Sequence, residues 1–371
     1  MNLRIRKFRA RLLICLKFVF PIIVFHVVEI MIIFIFEESD TLYELNQCYL
    51  DELPGTISTN WSSNAGHEYL EDVLLSDIKP IPGRAIYFLE TKCYSLNSQS
   101  HYLINLTARQ TCSIESAALH NPNFQVFVLF ANPKVIDPEN PFLNIIRSYS
   151  NVHLRQLNIW RYVKDTPVED WIVRDNKFIS RFPTEHTSDL LRLLTVYRFG
   201  GIYMDMDVVV LRSMEDIPLN FMGAQITNVI SNAVISLEPT GIGHEVGELF
   251  LREFQQTFNG TYYLFNGPML IERVLAKICG TKSVIEMINN RERCHGVRLF
   301  DASAFFILQK LIYLFDPRML NDGIEKTKNS YLIHLWNKGS QKCKLVGPSS
   351  TYGRYAAQNC PKTYAAAGHL F

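Results

Sequence analysis

Apolar and polar positions divide this chain into three stretches. From Leu12 to Phe36 the residues are almost all apolar, broken only by Lys17, His26 and Glu29. From Glu37 to Pro82 the chain is polar, with scattered Ser, Asn and Gly and no sustained periodicity. From Gly83 onward, short apolar runs alternate with segments of helical period. Arg84-Ala85-Ile86-Tyr87-Phe88-Leu89, Gln125-Val126-Phe127-Val128-Leu129-Phe130, Val152-His153-Leu154-Arg155-Gln156-Leu157 and Asn232-Ala233-Val234-Ile235-Ser236-Leu237 predict buried strands. Cys112–His120, Glu245–Phe258 and Met269–Cys279 predict helices, as does the stripe Leu190, Leu191, Leu194 and Tyr197. Apolar strands interleaved with helices indicate an α/β layer structure with a mostly parallel sheet. Such sheets take ligands at the carboxyl ends of their strands, which puts Leu89-Glu90-Thr91 beside the expected pocket.

The stretch from His186 to Leu211 carries the chemistry. Thr187 or Ser188 is placed to cap a helix, and Gly200-Gly201 to end it through a left-handed turn. Asp189 and Arg192, three apart, share a face of its first turn. The residues from Ile202 to Leu211 then read as one apolar strand carrying Asp205 and Asp207 on the same face, roughly 7 Å apart. Two hard oxygen donors at that spacing suit a shared divalent cation, which in turn clamps a diphosphate. Alone, the Asp189–Arg192 pair reads as a surface ion pair worth about 0–1 kcal/mol. Just before a carboxylate strand, it reads as a pair aimed at a donor sugar and its phosphates. Asn266-Gly267-Pro268 opens a helix with Pro at its first position. Tyr331–Lys338 predicts a strand with His334 and Trp336 on one face. His334 becomes a third metal or phosphate contact only if the chain returns it to the Asp pair.

Charge changes the picture at the N-terminus. The 371 residues carry a formal net charge of +1 with 20% charged residues, which argues against nucleic acid as a partner. Lys and Arg cluster at Arg4, Arg6, Lys7, Arg9 and Arg11, before the apolar stretch, and Glu37, Glu38 and Asp40 follow it. That asymmetry predicts a signal anchor with a cytoplasmic N-terminus, long enough for the about 20 residues a bilayer needs. No small-residue cleavage site follows, so the segment is expected to stay. The expected organisation is therefore a cytoplasmic tail at 1–11, a transmembrane helix at 12–36, a stem at 37–82 and a catalytic domain at 83–371. The sequons at Asn60, Asn105 and Asn259 agree with a lumenal domain. The chain has eight cysteines, with Cys15 in the apolar segment. Proximity suggests Cys93 with Cys112, Cys279 with Cys294 and Cys343 with Cys360, leaving Cys48 to join two chains as a homodimer.

Ser188-Asp189-x-x-Arg192, Gly200-Gly201-Ile202-Tyr203 and Asp205-x-Asp207 together resemble the donor-site signature of the α-1,4-glycosyltransferases. The family resembled is of the lactosylceramide 4-α-galactosyltransferase and α-1,4-N-acetylglucosaminyltransferase type. Phe88-Leu89-Glu90-Thr91, Cys112-Ser113-Ile114-Glu115-Ser116-Ala117-Ala118, Gly267-Pro268 and His334-Leu335-Trp336-Asn337-Lys338 extend the likeness over the whole lumenal domain. The resemblance implies an A-type glycosyltransferase fold, Rossmann-like with a mostly parallel sheet, behind an N-terminal transmembrane helix in the Golgi membrane. It implies Mn²⁺ as cofactor, UDP-galactose or UDP-N-acetylgalactosamine as donor, and retaining transfer to a glycosphingolipid. Asp205 and Asp207 would hold the metal and diphosphate, Asp189 the donor hydroxyls, and Arg192 would neutralise charge near the phosphates. Glu90 and Thr91 would lie near the uridine, with Gly201, Tyr203, His334 and Trp336 also around the substrate. The alternatives are a non-catalytic lumenal sugar-binding or transferase-partner protein of the same fold, and a metal-dependent hydrolase. A binding-only protein would be free to lose the carboxylates that this chain keeps, and no His/Asp cluster of the hydrolase kind appears.

Overall fold

The computed structural model describes residues 43–44, 70–92, 104–131, 136, 139–175, 178–343, 347–368 and 371. The expected anchor, most of the stem, Asn60, Cys48 and Cys93 lie outside them. Among the described residues no helix is long and apolar enough to cross a membrane.

The strands are β1 (Tyr43–Glu44), β2 (Ala85–Glu90), β3 (Gln125–Phe130), β4 (Val152–Gln156), β5 (Ile179–Ser180), β6 (Gly201–Met204), β7 (Val208–Val210), β8 (Phe221–Ile226), β9 (Val229–Leu237), β10 (Arg298–Phe300) and β11 (Leu332–His334). One sheet runs β10-β8-β9-β6-β2-β3-β4. Its pairs β10–β8, β6–β2, β2–β3 and β3–β4 are parallel, and β9 is antiparallel to both of its neighbours. Separately, β7 pairs antiparallel with β11, and β1 with β5. The strands read as unbroken apolar runs because both faces of the sheet are covered. Tyr87 and Leu89 of β2 pack with Leu190, Leu191 and Leu194 on one side. Ile86 and Phe88 pack with Ile114, Ala117 and Ala118 on the other.

Four helices position the site: α1 (Ala108–His120), α2 (Pro183–Phe199), α3 (Gly241–Thr257) and α4 (Pro268–Cys279). Two more, α5 (Thr351–Asn359) and α6 (Pro361–Ala367), close the chain. Helix α1 begins four residues before the expected Cys112 because Thr107 and Gln110 form a capping box. Helix α2 begins at Pro183 instead of after Thr187 or Ser188. Proline lacks the N–H that the first turn would leave unpaired, so the two hydroxyl residues fall inside the helix. At the other end Gly200 and Gly201 both take positive φ (62° and 93°). A Cβ on Gly200 would lie 2.5 Å from Pro239 N, and one on Gly201 2.4 Å from Ala85 O, so only glycine turns α2 directly into β6.

Cys279 bonds Cys294 as expected, but Cys112 bonds Cys360, 248 positions away. That bridge excludes both Cys93–Cys112 and Cys343–Cys360. Nearness in sequence misled because the chain's end folds back onto α1. Glu115 of α1 caps α6, accepting from the backbone N–H of Lys362 (3.0 Å) and Thr363 (2.8 Å) and from the Tyr149 hydroxyl (2.6 Å). A fully buried carboxylate is tolerated there because helix N–H groups and a hydroxyl satisfy it.

Candidate active site

The single strand expected through the Asp pair is instead two strands in two different sheets. Strand β6 ends at Met204, Asp205 N–H makes a bond to Ala233 O (2.9 Å), and the chain turns at Met206-Asp207 before β7 begins. The turn draws the carboxylates together with an imidazole. The β7–β11 register sets His334 opposite Val208. His334 Nε2 stands 3.1 Å from Asp207 Oδ1 and 3.8 Å from Asp205 Oδ2. One ligand atom from each of Asp205, Asp207 and His334 lies within 4.8 Å of the others. Two hard oxygens and one imidazole nitrogen fit a divalent cation, so the donor set matches the metal that the Asp-x-Asp pattern implies. The Trp336 N–H points at His334 Nδ1 (3.0 Å), a contact that opposes a proton on that nitrogen. Burial also opposes charge on this imidazole, but Asp207 and Asp205 outweigh it and raise it from its ordinary range to about 9. A divalent cation on this ring would compete with that charge.

Behind the pair, Arg192 holds Asp205 in place. Its Nη1 donates to Asp205 Oδ1 (2.9 Å) and Asn232 O (3.0 Å), Nη2 to Ser188 Oγ (2.8 Å), and Nε to Ser188 O (3.2 Å). The guanidinium lies 4.7 Å from the centre of the Tyr203 ring, and the Tyr203 hydroxyl donates to Asp205 Oδ1 at 2.6 Å. The donors of Arg192 are thus engaged inside the protein, where they fix Asp205. Burial raises the Asp205 carboxyl, but Arg192, His334 and Tyr203 bring it down to about 2. Asp189, 3.5 Å from Arg192 Nη2, accepts from Asn232 Nδ2 (2.7 Å). There burial wins over Arg192 and Asn232, and the carboxyl is raised to about 6. The Gly267 backbone closes over this pair. A Cβ there would meet Asn232 Nδ2 at 2.5 Å and Asp189 Oδ1 at 2.7 Å, which explains the Gly-Pro helix opening.

Glu90 ends β2, which runs parallel to β6, and Thr91 follows it. Glu90 is held by Gln110 Nε2 (2.5 Å), and Thr91 Oγ1 donates to Thr184 O (3.1 Å). Trp336 is not in a strand: β11 stops at His334 and Trp336 adopts a left-handed φ of 53°. Its indole N–H donates to Leu308 O (2.8 Å) and its ring packs 4.3 Å from that of His334. Gly201 lies at the far end of β6 from Asp205, where it serves the α2–β6 turn. Of the described sequons, Asn105 is exposed, and Asn259 Oδ1 accepts from both the N–H and the hydroxyl of Thr261.

Several contributors escaped the sequence reading. In the β7–β11 ribbon, Leu335 N–H goes to Asp207 O and Leu211 N–H to Tyr331 O, so Val208 and Val210 turn their polar groups away from β11. Helix α1 receives them. Ser113 Oγ accepts from Val208 N–H (3.1 Å) and lies 2.9 Å from Met206 O and 2.7 Å from Val208 O, and Ser116 Oγ accepts from Val210 N–H (3.0 Å). From the same helix Arg109 donates to Asn337 Oδ1 (3.2 Å), Ser340 Oγ (2.8 Å) and Cys343 O (2.6 Å). Asn337 N–H in turn donates to Asp207 Oδ2 at 2.7 Å. Arg109, Ser113 and Ser116, at i, i+4 and i+7, form a polar stripe on a buried helix face. That periodicity is the signal that could have marked them.

A carboxylate pair at the carboxyl end of a mostly parallel sheet, joined by an imidazole and backed by a buried Asp–Arg pair, is an arrangement that suits a sugar-nucleotide site holding a divalent cation. Residues 107–225 match the model described as "Glycosyltransferase sugar-binding region containing DXD motif", and 239–367 match "Alpha 1,4-glycosyltransferase conserved region". Mouse lactosylceramide 4-alpha-galactosyltransferase is 30% identical over 294 residues, covering 77% of this chain and 76% of that one. Human alpha-1,4-N-acetylglucosaminyltransferase is 26% identical over 294 residues, covering 76% and 80%. Among solved structures, the PaToxG glycosyltransferase aligns over 79% of this chain and 90% of that one, with 14% identity and a TM-score of 0.34. The chain belongs to the α-1,4-glycosyltransferase family.

Proposed function

We propose that this protein is a retaining, Mn²⁺-dependent galactosyl- or N-acetylgalactosaminyltransferase that forms an α-1,4 linkage on a glycosphingolipid such as lactosylceramide. It would work from the lumenal side of the Golgi membrane as a single-pass type II protein. The carrying observation is the convergence of Asp205, Asp207 and His334 in front of the Arg192–Asp189–Asn232 group. Kinship with galactosyltransferases named for a glycolipid acceptor, together with the charge asymmetry around residues 12–36, supports the lipid acceptor and the membrane address.

The bound metal would supply Lewis-acid stabilisation of the departing diphosphate, an effect of several kcal/mol. The chain's own part is positioning. Arg192 and Tyr203 hold one Asp205 oxygen, the Asn337 N–H holds one Asp207 oxygen, and the other two oxygens lie 3.8 and 3.1 Å from His334 Nε2. Asp189, oriented by Asn232, would accept from donor-sugar hydroxyls. In a front-face reaction the acceptor oxygen bonds to the anomeric carbon as the bond from that carbon to the phosphate oxygen breaks. The acceptor proton passes to the departing phosphate, so the α configuration is kept without a protein nucleophile.

The test uses the full chain in detergent with Mn²⁺, lactosylceramide and either labelled UDP-galactose or labelled UDP-N-acetylgalactosamine. Metal-dependent label in the lipid that Asp207→Asn abolishes would support the proposal and identify the donor. A folded protein that labels no glycan in a broad acceptor panel and releases no UDP would refute it in favour of a binding role.

A further inference from the structure

Two residues of the stretch expected as a stem are built into the catalytic domain. Strand β1 pairs antiparallel with β5, with Tyr43 opposite Ser180 and Glu44 opposite Ile179. Strand β5 in turn belongs to the rim of the cleft. Ser180 Oγ bonds His186 Nδ1 (2.8 Å) and accepts from Phe182 N–H (2.7 Å), which ties β5 to the start of α2. Thr184 O, in the first turn of α2, accepts from Thr91 Oγ1 just past the carboxyl end of β2. Asp189 follows on the same helix, about 9 Å along the axis from Pro183. Strand β1 therefore lies toward the carboxyl edge of the sheet, the edge that carries Asp205 and Asp207.

The rim is firmly packed inside and apolar in part outside. Trp171, Phe178 and Phe258 pack ring to ring, with centroids 6.0, 5.2 and 5.0 Å apart. Arg181 N–H donates to Gly260 O (2.8 Å), which joins the residues after β5 to the segment leading to Gly267. On these two neighbouring segments Ile179 and Tyr262 are each 41% exposed. An exposed isoleucine and tyrosine suit the boundary between lipid headgroups and acyl chains, where an apolar body with a polar tip is favoured.

Chain length decides where the bilayer lies. The apolar stretch expected to cross the membrane ends at Phe36. Residues 37–42 then lead to β1, and fully extended they reach at most about 25 Å. Were β1 unpaired, the chain would first meet the domain near Asp72, where Val73 N–H donates to Gln156 O (2.9 Å) beside β4. The tether would then run over residues 37–69. Effective concentration falls roughly as the −3/2 power of tether length, so the pairing raises that of the cleft at the bilayer about tenfold. It also fixes which end of the sheet meets the anchor.

We infer that the β1–β5 pairing holds the mouth of the cleft against the bilayer that carries the anchor, so that the acceptor is a lipid of that same bilayer. This rests on the membrane-anchored, glycolipid-directed reading above. A short headgroup stays near the bilayer surface, and a cleft held at that surface reaches its terminal sugar.

The test reconstitutes the full chain in phosphatidylcholine vesicles containing lactosylceramide, with Mn²⁺ and labelled UDP-galactose or UDP-N-acetylgalactosamine. Labelling of the lipid is compared with labelling of soluble lactose. In Tyr43→Pro/Glu44→Pro neither residue has an N–H to donate, so whichever one the ladder uses is removed. That variant should lose about tenfold or more in transfer to the lipid, while transfer to lactose changes by less than about twofold. In Glu44→Cys/Ile179→Cys the introduced thiols stand on directly opposed residues, at a separation that a disulfide accepts. Oxidation should link them in the vesicle, read by peptide mass spectrometry, and the linked protein should keep lipid transfer within about twofold of native. A proline variant that serves both acceptors as the native protein does, or loses both equally, would overturn the inference and leave the transfer reading intact. So would thiols that stay unlinked, or a linked protein that loses lipid transfer. A native protein that labels lactose but not the lipid would overturn the inference together with the lipid acceptor. One that labels neither would overturn the transfer reading as well.

Discussion

Removing the Ser113 hydroxyl tests whether helix α1 shapes the metal site. The side chain is fully buried, and its oxygen bonds Val208 N–H at 3.1 Å and lies 2.9 Å from Met206 O. Those two groups flank Asp207. In Ser113→Ala the Val208 N–H loses its acceptor, and whichever of Val208 O and Met206 O takes the single hydroxyl proton loses its donor, on the side of the strand facing away from β11. Each unsatisfied buried backbone group costs about 1–3 kcal/mol, so a total near 2–4 kcal/mol is expected after partial relaxation. At about 2–4 °C per kcal/mol for a domain of this class, the melting temperature should fall by roughly 5–10 °C. The more telling effect is on the cation. Loss of a partner behind a metal ligand weakens metal binding by about 10–100-fold. Calorimetric titration with Mn²⁺ reads the affinity, and thermal melts with and without Mn²⁺ read the protection it confers. Ser113→Cys keeps nearly the same volume with a weak donor and should resemble Ser113→Ala. If both variants bind Mn²⁺ as tightly as the native protein, or if Cys behaves as native, the hydroxyl does not set the Asp207 geometry.

Three other outcomes follow from the same contacts. Asp189, raised to about 6, keeps its proton in the folded state above its ordinary range, so its contribution to stability declines as pH rises from about 4 through 6. If donor binding uses the ionised form, kcat/KM should rise across about pH 6. Asn232→Ala should shift that limb upward and Asp189→Asn should abolish it, and an unmoved limb would assign it to another group. Gly267→Ala should lower kcat/KM for the donor by about tenfold to a hundredfold, because its Cβ displaces Asn232 and Asp189, and native-like kinetics would contradict the close approach. Cys112→Ser opens a link spanning 248 positions and should cost about 5 kcal/mol, seen as a melting temperature well below the oxidised native value, with the Cys279–Cys294 bridge left as the reductant-sensitive one. An unchanged melting temperature would show that α1 and α6 are held without the bridge.

The layer structure, the strands β2, β3 and β9 and the helices α2 and α4 were legible because burial on both sheet faces leaves unbroken apolar runs. Asp189 and Arg192 were legible as a pair because a three-residue spacing on a helix puts them on one face. Asp205 and Asp207 were legible only as a motif, since the strand expected to orient them breaks between them. His334 was visible only as a conditional partner. Its 127-residue separation from Asp207 is closed by the β7–β11 pairing, and no local rule sets that register. The break at Met206 and the antiparallel insertion of β9 between β8 and β6 depend likewise on which strand arrives alongside. The Cys112–Cys360 bridge, the capping of α6 by Glu115 and the serines that complete β7 depend on the chain's end and α1 meeting in space. Sequence by itself determined the elements and the chemical types they carry, since these follow from local periodicity and side-chain character. Tertiary structure alone decided the metal triad, the disulfide and the role of α1, because each joins groups that only the packed sheet brings within hydrogen-bond or bond distance.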